Sequence, residues 1–306
     1  MILGIILGSV FLLLLLVLLG FLYWIYKKFF YNPDEERNNE YKLKEVGYKY
    51  DVEKLHALVD KIRQIPYQDL WITSVDGLKL HGYFYENKNS NQYLLMFNGY
   101  QGIARRDYCG KALDLMKQGY NIVLIDQRAH GYSDGHTISL GRKEQYDVRP
   151  WVDFAREKWG KSAKITVAGI SMGASTVLFA ADKLPSDVKV LADSPYSTEK
   201  DLICHLIKRR KLHPKIMWPL IYLSALIFGH FRLKDDAAKN VARATCQILI
   251  IHCGDDTIVP IETNRKLFES NKEHVQVEIF EGLNHAMAFL EETDRYRKVL
   301  YEFLEK

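Results

Sequence analysis

The chain has little cysteine. Its 306 residues include only Cys109, Cys204, Cys246 and Cys253, with no C-x-x-C pair, which excludes a disulfide scaffold and a zinc ribbon. Eight prolines and 19 glycines, without period, exclude collagen-like and low-complexity chains. Charge of one sign is nearly balanced by the other, 42 Lys and Arg against 38 Asp and Glu. The resulting net +4 is too mild and too dispersed to point to nucleic acid. Charge is missing altogether from Met1 to Tyr26, which excludes a soluble enzyme with no membrane attachment. Apolar residues, by contrast, make up 48% of the chain, ample for a large core.

The uncharged start is almost pure leucine over residues 12–19. It is longer than the roughly 20 residues a helix needs to cross the hydrocarbon core. Tyr23, Trp24 and Tyr26 stand at its end, where amphipathic rings favour the headgroup layer. A cleaved signal peptide is the alternative; the missing basic start, the length and the lack of an A-x-A site argue against it. Residues 1–28 are therefore expected to be a single transmembrane anchor. Lys27 and Lys28 on its carboxyl side place the body of the protein in the cytoplasm by the positive-inside tendency.

Residues 29–66 read as a polar tether and a short amphipathic helix, with Leu55, Leu58, Val59 and Ile62 on one face and Pro66 after it. From residue 67 to 306 strands alternate with helices. Strands are expected at 69–73, 78–85, 93–97, 122–126, 165–169, 188–192, 248–252 and 275–280. Helical patterns cover 105–118, 145–158, 172–183, 261–270 and 285–305. A hairpin followed by short apolar strands, each leading to a helix, predicts an α/β fold with a mostly parallel sheet covered on both faces. Residues 195–245 are too long for a crossover and read as an inserted helical lid.

The pattern G-x-S-x-G occurs twice, around Ser133 and around Ser171. Lifting a serine oxygen out of a sheet requires a sharp turn between a strand and a helix. Only Gly169-Ile170-Ser171-Met172-Gly173 has an apolar strand before it and a helix of small residues after it, so Ser171 is the candidate nucleophile. A base and an orienting carboxylate should follow on later loops. The loop after residue 252 offers Asp255 and Asp256, and the loop after residue 280 offers His285. The order serine, aspartate, histidine is the one a nucleophile-elbow fold requires.

From about residue 67 to 303 the sequence resembles the α/β-hydrolase superfamily. The likeness rests on 98–102, 126–135, the Ser171 elbow, 254–260 and 283–285. Asp193-Ser194-Pro195 also looks like a branch of single-span bacterial hydrolases related to esterases and prolyl-oligopeptidase-like proteins. The resemblance implies an eight-stranded sheet. It makes Asp256 the acid, with Asp255 the alternative and Asp193 a remoter one, and His285 the base. It also makes the backbone N–H groups of Tyr100 and Met172 the oxyanion donors, with Asn98-Gly99 where the family commonly has His-Gly.

Other residues read as structural. Arg128 and His130 brace the site floor, Arg105 and Arg106 form a solvated helix start rather than an anion site, and Cys253 packs. No cofactor and no metal are expected. In the insert, Lys208-Arg209-Arg210-Lys211 and Lys215 precede the uncharged stretch 216–228, which is too short to span a bilayer. That stretch is expected to cover the site, and the basic run to rest on an anionic membrane surface with Trp218 at the interface. The expected function is a membrane-anchored serine hydrolase of carboxylic esters or related acyl bonds, with small-molecule or lipid-like substrates. A peptidase or amidase on the same triad, and a non-catalytic tethered scaffold, are the alternatives.

Overall fold

In the computed structural model, residues 1–33, 37–41 and 51–305 are described. Eight strands form one sheet in the order β1-β2-β4-β3-β5-β6-β7-β8. These are β1 (Gln68–Thr73), β2 (Lys79–Tyr85), β3 (Gln92–Phe97), β4 (Asn121–Asp126), β5 (Lys164–Ile170), β6 (Lys189–Asp193), β7 (Ile248–Cys253) and β8 (Val275–Phe280). β2 runs antiparallel to both β1 and β4, and every later pairing is parallel. β4 and β7 are buried along their whole length because helices cover both faces, which is why they read as unbroken apolar runs.

One face packs on α2 (Val52–Arg63), α3 (Ala104–Lys117), α10 (Ala288–Glu291) and α11 (Thr293–Glu305). In α11, Tyr296, Val299, Leu300, Phe303 and Leu304 recur at helical spacing and form the buried stripe. The other face packs on α4 (Gln145–Trp159), α5 (Met172–Ala180) and the insertion. The insertion holds α6 (Glu199–Arg209), α7 (Pro214–Phe228) and α8 (Ala237–Val241).

Three helices differ from their sequence patterns. The stretch expected at 285–305 is two helices broken at Glu292, after a turn at Ala286 with φ 59° that leaves His285 in a loop. The 261–270 pattern is a 3₁₀ turn, Ile261–Asn264, followed by the single turn α9 (Arg265–Phe268). The 172–183 pattern leaves α-helical geometry after Ala180 and ends in a 3₁₀ turn.

The first helix, α1 (Ile2–Phe29), is long and apolar enough to cross a membrane. The chain that follows it is not a free polar tether over its described part. Phe30 is 1% exposed, Ile138 N donates to Phe30 O (2.7 Å), and Asn32 Nδ2 donates to Ala129 O (2.7 Å). The remainder of the expected tether, residues 34–36 and 42–50, lies outside the described residues. α2 is capped by the preceding Asp51, whose carboxylate accepts from Lys54 N at 2.8 Å.

Candidate active site

β5 ends at Ile170 and α5 begins at Met172, so Ser171 occupies the whole connection, with φ 54° and ψ −115°. Such a conformation stores about 1–3 kcal/mol in a non-glycine residue and persists only where its surroundings hold it. Ser171 N donates to Asp193 O (2.8 Å), and Ser175 N donates to Ser171 O (3.1 Å). The flanking glycines are sterically required: a Cβ on Gly173 would lie 2.0 Å from Phe97 O, and one on Gly169 2.1 Å from Gly173 O. Ser133, in the other G-x-S-x-G match, is buried and donates to Asp126 O at 2.5 Å.

Three expected residues converge here. Ser171 Oγ lies 2.8 Å from His285 Nε2, and His285 Nδ1 lies 2.6 Å from Asp256 Oδ2. The other oxygen, Asp256 Oδ1, accepts from Ile258 N (2.9 Å) and Val259 N (2.7 Å). Burial acts to raise the Asp256 pKa, but the His285 imidazole and the Val259 N–H outweigh it, and the carboxyl sits below its ordinary range. An ionised Asp256 fixes the proton on Nδ1 and turns the Nε2 lone pair toward the serine hydroxyl.

The other two acids lie apart from this relay. Asp255 is exposed. Asp193 Oδ2 is bound by buried Lys111 and by Tyr296 Oη (3.0 Å), while its Oδ1 accepts from Ser194 Oγ at 3.1 Å. Asp193 therefore braces the floor beneath the elbow.

Several bracing residues carried no role in the sequence reading. Asn284 Oδ1 accepts from Thr257 N (3.1 Å), Thr257 Oγ1 (3.0 Å) and His285 N (2.9 Å), tying the loop of Asp256 to the loop of His285. Its position directly before His285 was the available signal. Ser194 Oγ accepts from Ala286 N at 3.1 Å, behind the histidine. His252 Nε2 donates to Val259 O (2.9 Å), and burial lowers the pKa of that imidazole.

The loop 98–102 lies against Ser171: a Cβ on Gly99 would stand 3.6 Å from Ser171 Cβ. Asn98 Nδ2 donates to Gly99 O (2.9 Å), Asn98 Oδ1 accepts from Gln127 N (3.1 Å), and Asp107 Oδ2 accepts from Gly99 N (3.0 Å). Asparagine thus holds this loop from the position where the family commonly carries histidine. The expected donor Met172 N opens α5, among the amides that have no partner inside a helix. Tyr100 sits in the loop itself, with its phenol on Phe29 O at 2.9 Å.

Arg105 and Arg106 are not a solvated helix start. Arg105 is ion-paired with Glu40 and stacked over Tyr83, and Arg106 pairs with Asp107 at 2.9 Å. Arg128 is forked between Asp76 and Asp147, and His130 Nδ1 bonds Arg128 O (2.9 Å), so both brace the floor. Cys253 is buried in the core, and burial pushes its thiol up to about 12. Among the described residues, no group of three His, Cys, Asp or Glu is placed to hold a metal ion.

The model of the serine aminopeptidase S33 family matches residues 88–210, taking in the loop 98–102 and the elbow and stopping before Asp256 and His285. An esterase structure from Pyrococcus furiosus superposes with a TM-score of 0.67 at 22% identity, over 90% of this chain and 97% of that one. The chain has the α/β-hydrolase fold. A Butyrivibrio proteoclasticus structure solved with ferulic acid bound shares the fold at a TM-score of 0.59 and 20% identity, over 78% of the hydrolase and all of its own chain (100%). In sequence, the hydrolase is 26% identical to the Bacillus subtilis protein YqkD over 84% of its own length and 85% of that protein's. It is 24% identical to a lysophosphatidylserine lipase of Danio rerio over 60% of its length, spanning about half of that relative (48%). It is a serine hydrolase whose likenesses are to esterases and lipases.

Proposed function

We propose that this chain is a membrane-anchored hydrolase that cleaves carboxylic esters of acyl chains, with Ser171 as nucleophile, His285 as general base and then acid, and Asp256 orienting the imidazole. Ser171 Oγ attacks the acyl carbon while His285 Nε2 takes its proton. The N–H groups of Tyr100 and Met172 receive the oxyanion, each such donor contributing roughly 3–4 kcal/mol to the transition state. The alcohol leaves with the proton from His285. Water, deprotonated by the same nitrogen, then releases the acid from the serine. The observation that carries this reading is the unbroken relay Ser171 Oγ–His285 Nε2 (2.8 Å) and His285 Nδ1–Asp256 Oδ2 (2.6 Å), set at a strained elbow.

The lipid-like end of the ester class is favoured by α1 and by the lipase relative. Retention of α1 fits its packing: Leu22 and Ile25 are 1% and 0% exposed, and removing the segment would open the core. Lys27 and Lys28 at its carboxyl end favour a body on the cytoplasmic side by the positive-inside tendency. Protease should therefore digest the body in inside-out vesicles and spare it in right-side-out ones; the reverse pattern refutes this orientation.

The family description favours a second reading, release of amino-terminal residues from peptides. Parallel assays on acyl esters and aminoacyl anilides separate the two. The catalytic reading itself is tested by labelling full-length protein in detergent with a fluorophosphonate. Wild type should label and Ser171→Ala should not. Unlabelled wild type sinks the relay as chemistry and leaves the tethered scaffold.

A further inference from the structure

The membrane helix ends inside the catalytic apparatus. Phe29 is the last residue of α1, in the final turn, where backbone carbonyls have no acceptor role left inside the helix. Its carbonyl is taken by the Tyr100 phenol at 2.9 Å. Burial pushes that phenol's pKa far up, so it stays protonated and donates. Tyr100 is also the loop residue whose backbone N–H faces the reaction in the proposed mechanism.

The end of α1 has little freedom to slide. Tyr26 Oη lies 2.6 Å from Thr137 Oγ1, and the Phe30 ring meets Phe231 edge-on at 5.3 Å. Phe228, at the end of α7, packs against Tyr23 at 5.3 Å and Tyr26 at 6.2 Å between ring centroids. The loop 98–102 is thus clamped from both sides. Asp107 and Asn98 hold its backbone from within the domain, and α1 holds it from outside through the Tyr100 side chain.

We infer that the Tyr100 side chain is a positioning residue, which couples the seating of the membrane helix to the placement of the oxyanion donor. This rests on the Ser171 mechanism. Its physical basis is the narrow tolerance of such sites: a donor must stand about 2.7–3.1 Å from the developing oxyanion, and a misplacement of about 1 Å lowers the rate about 100-fold. The phenol touches no reacting atom and acts only through its own backbone.

The test uses full-length protein in phosphatidylcholine nanodiscs, a water-soluble nitrophenyl ester and three forms: wild type, Tyr100→Phe and Tyr26→Phe. Tyr100→Phe keeps the ring and loses the bond to Phe29. Its kcat should fall about tenfold with KM within about twofold and an unchanged melting temperature. Tyr26→Phe removes a hydroxyl from the same seam and loosens the seat of α1 while leaving the bond from Tyr100 to Phe29 in place, so its kcat should fall clearly less than that of Tyr100→Phe. The inference is overturned if Tyr100→Phe turns over like wild type, or if Tyr26→Phe loses as much. Wild type that neither hydrolyses the ester nor reacts with fluorophosphonate overturns the mechanism beneath it, a result distinct from either.

Discussion

Asp256→Asn is expected to lower kcat on an ester by about 10⁴-fold while the protein remains folded. The side chains are isosteric, and the carboxamide oxygen can keep the bonds from Ile258 N and Val259 N. Its NH₂ then faces His285 Nδ1 where a carboxylate oxygen stood at 2.6 Å. Two donors cannot share that bond, so the imidazole proton moves to Nε2 and Ser171 meets a donor instead of a base. Circular dichroism at neutral pH should match wild type; a loss below about 100-fold would count against Asp256 as the acid. The pH dependence has a definite sign. Because Asp256 titrates below its unfolded value, its contribution to stability is present above the ordinary carboxylate range and is lost as pH falls through its folded pKa. Wild type should lose melting temperature over that acid window more steeply than the asparagine variant.

Lys111→Ala should be the most damaging single change to stability, by about 3–5 kcal/mol in urea unfolding. Lys111 and Asp193 form an ion pair with side chains 7% and 2% exposed, one on α3 and the other at the end of β6. Removing the ammonium leaves a carboxylate in the core with, among the described residues, the hydroxyls of Tyr296 and Ser194 to solvate it. The loss comes chiefly from that stranded charge, since an intact buried pair gains little over an apolar one of the same shape. Lys111→Met combined with Asp193→Asn should therefore recover most of the deficit. A single-variant loss under about 1 kcal/mol would show that water reaches the pair. Ser171 N is bonded to Asp193 O, so the single variant should also lose turnover.

These two sites differ in how far the sequence disclosed them. The central strands were legible to within a residue or two because parallel strands buried on both faces must be continuous apolar runs, as 122–125 and 248–251 are. The elbow was legible because its residues are contiguous in sequence and Gly169 answers to a contact within the motif itself, against Gly173, whereas the need for Gly173 comes from Phe97 on β3. Only the family resemblance favoured Asp256 over Asp255, and in the structure Val259 N is one of the amides that Asp256 holds. Pairings between distant elements left no local trace. Neither Lys111 with Asp193 nor Arg105 with Glu40 follows from periodicity, and Arg105 read as solvated for that reason. The chain after α1 read as a tether because its partners, Ala129 and Ile138, lie on the loop after β4. The break at Glu292 was hidden because apolar residues continue at helical spacing across it.

The absence of slack after α1 has a kinetic meaning. A flexible linker of n residues lets a domain roam about 5–6 Å × √n from its point of attachment. Here Phe30 and Asn32 are already fixed to the body within a few residues of the helix end, so the roaming radius collapses. With α1 seated in a bilayer, Ser171 stays at one height and one tilt above the leaflet. On the proposed function, a lipid-like substrate would then be sampled by lateral diffusion, and turnover would follow its mole fraction among the surrounding lipids rather than its amount per volume of water. Diluting an insoluble ester with inert lipid, at constant total ester, slows such an enzyme as removing substrate slows a soluble one.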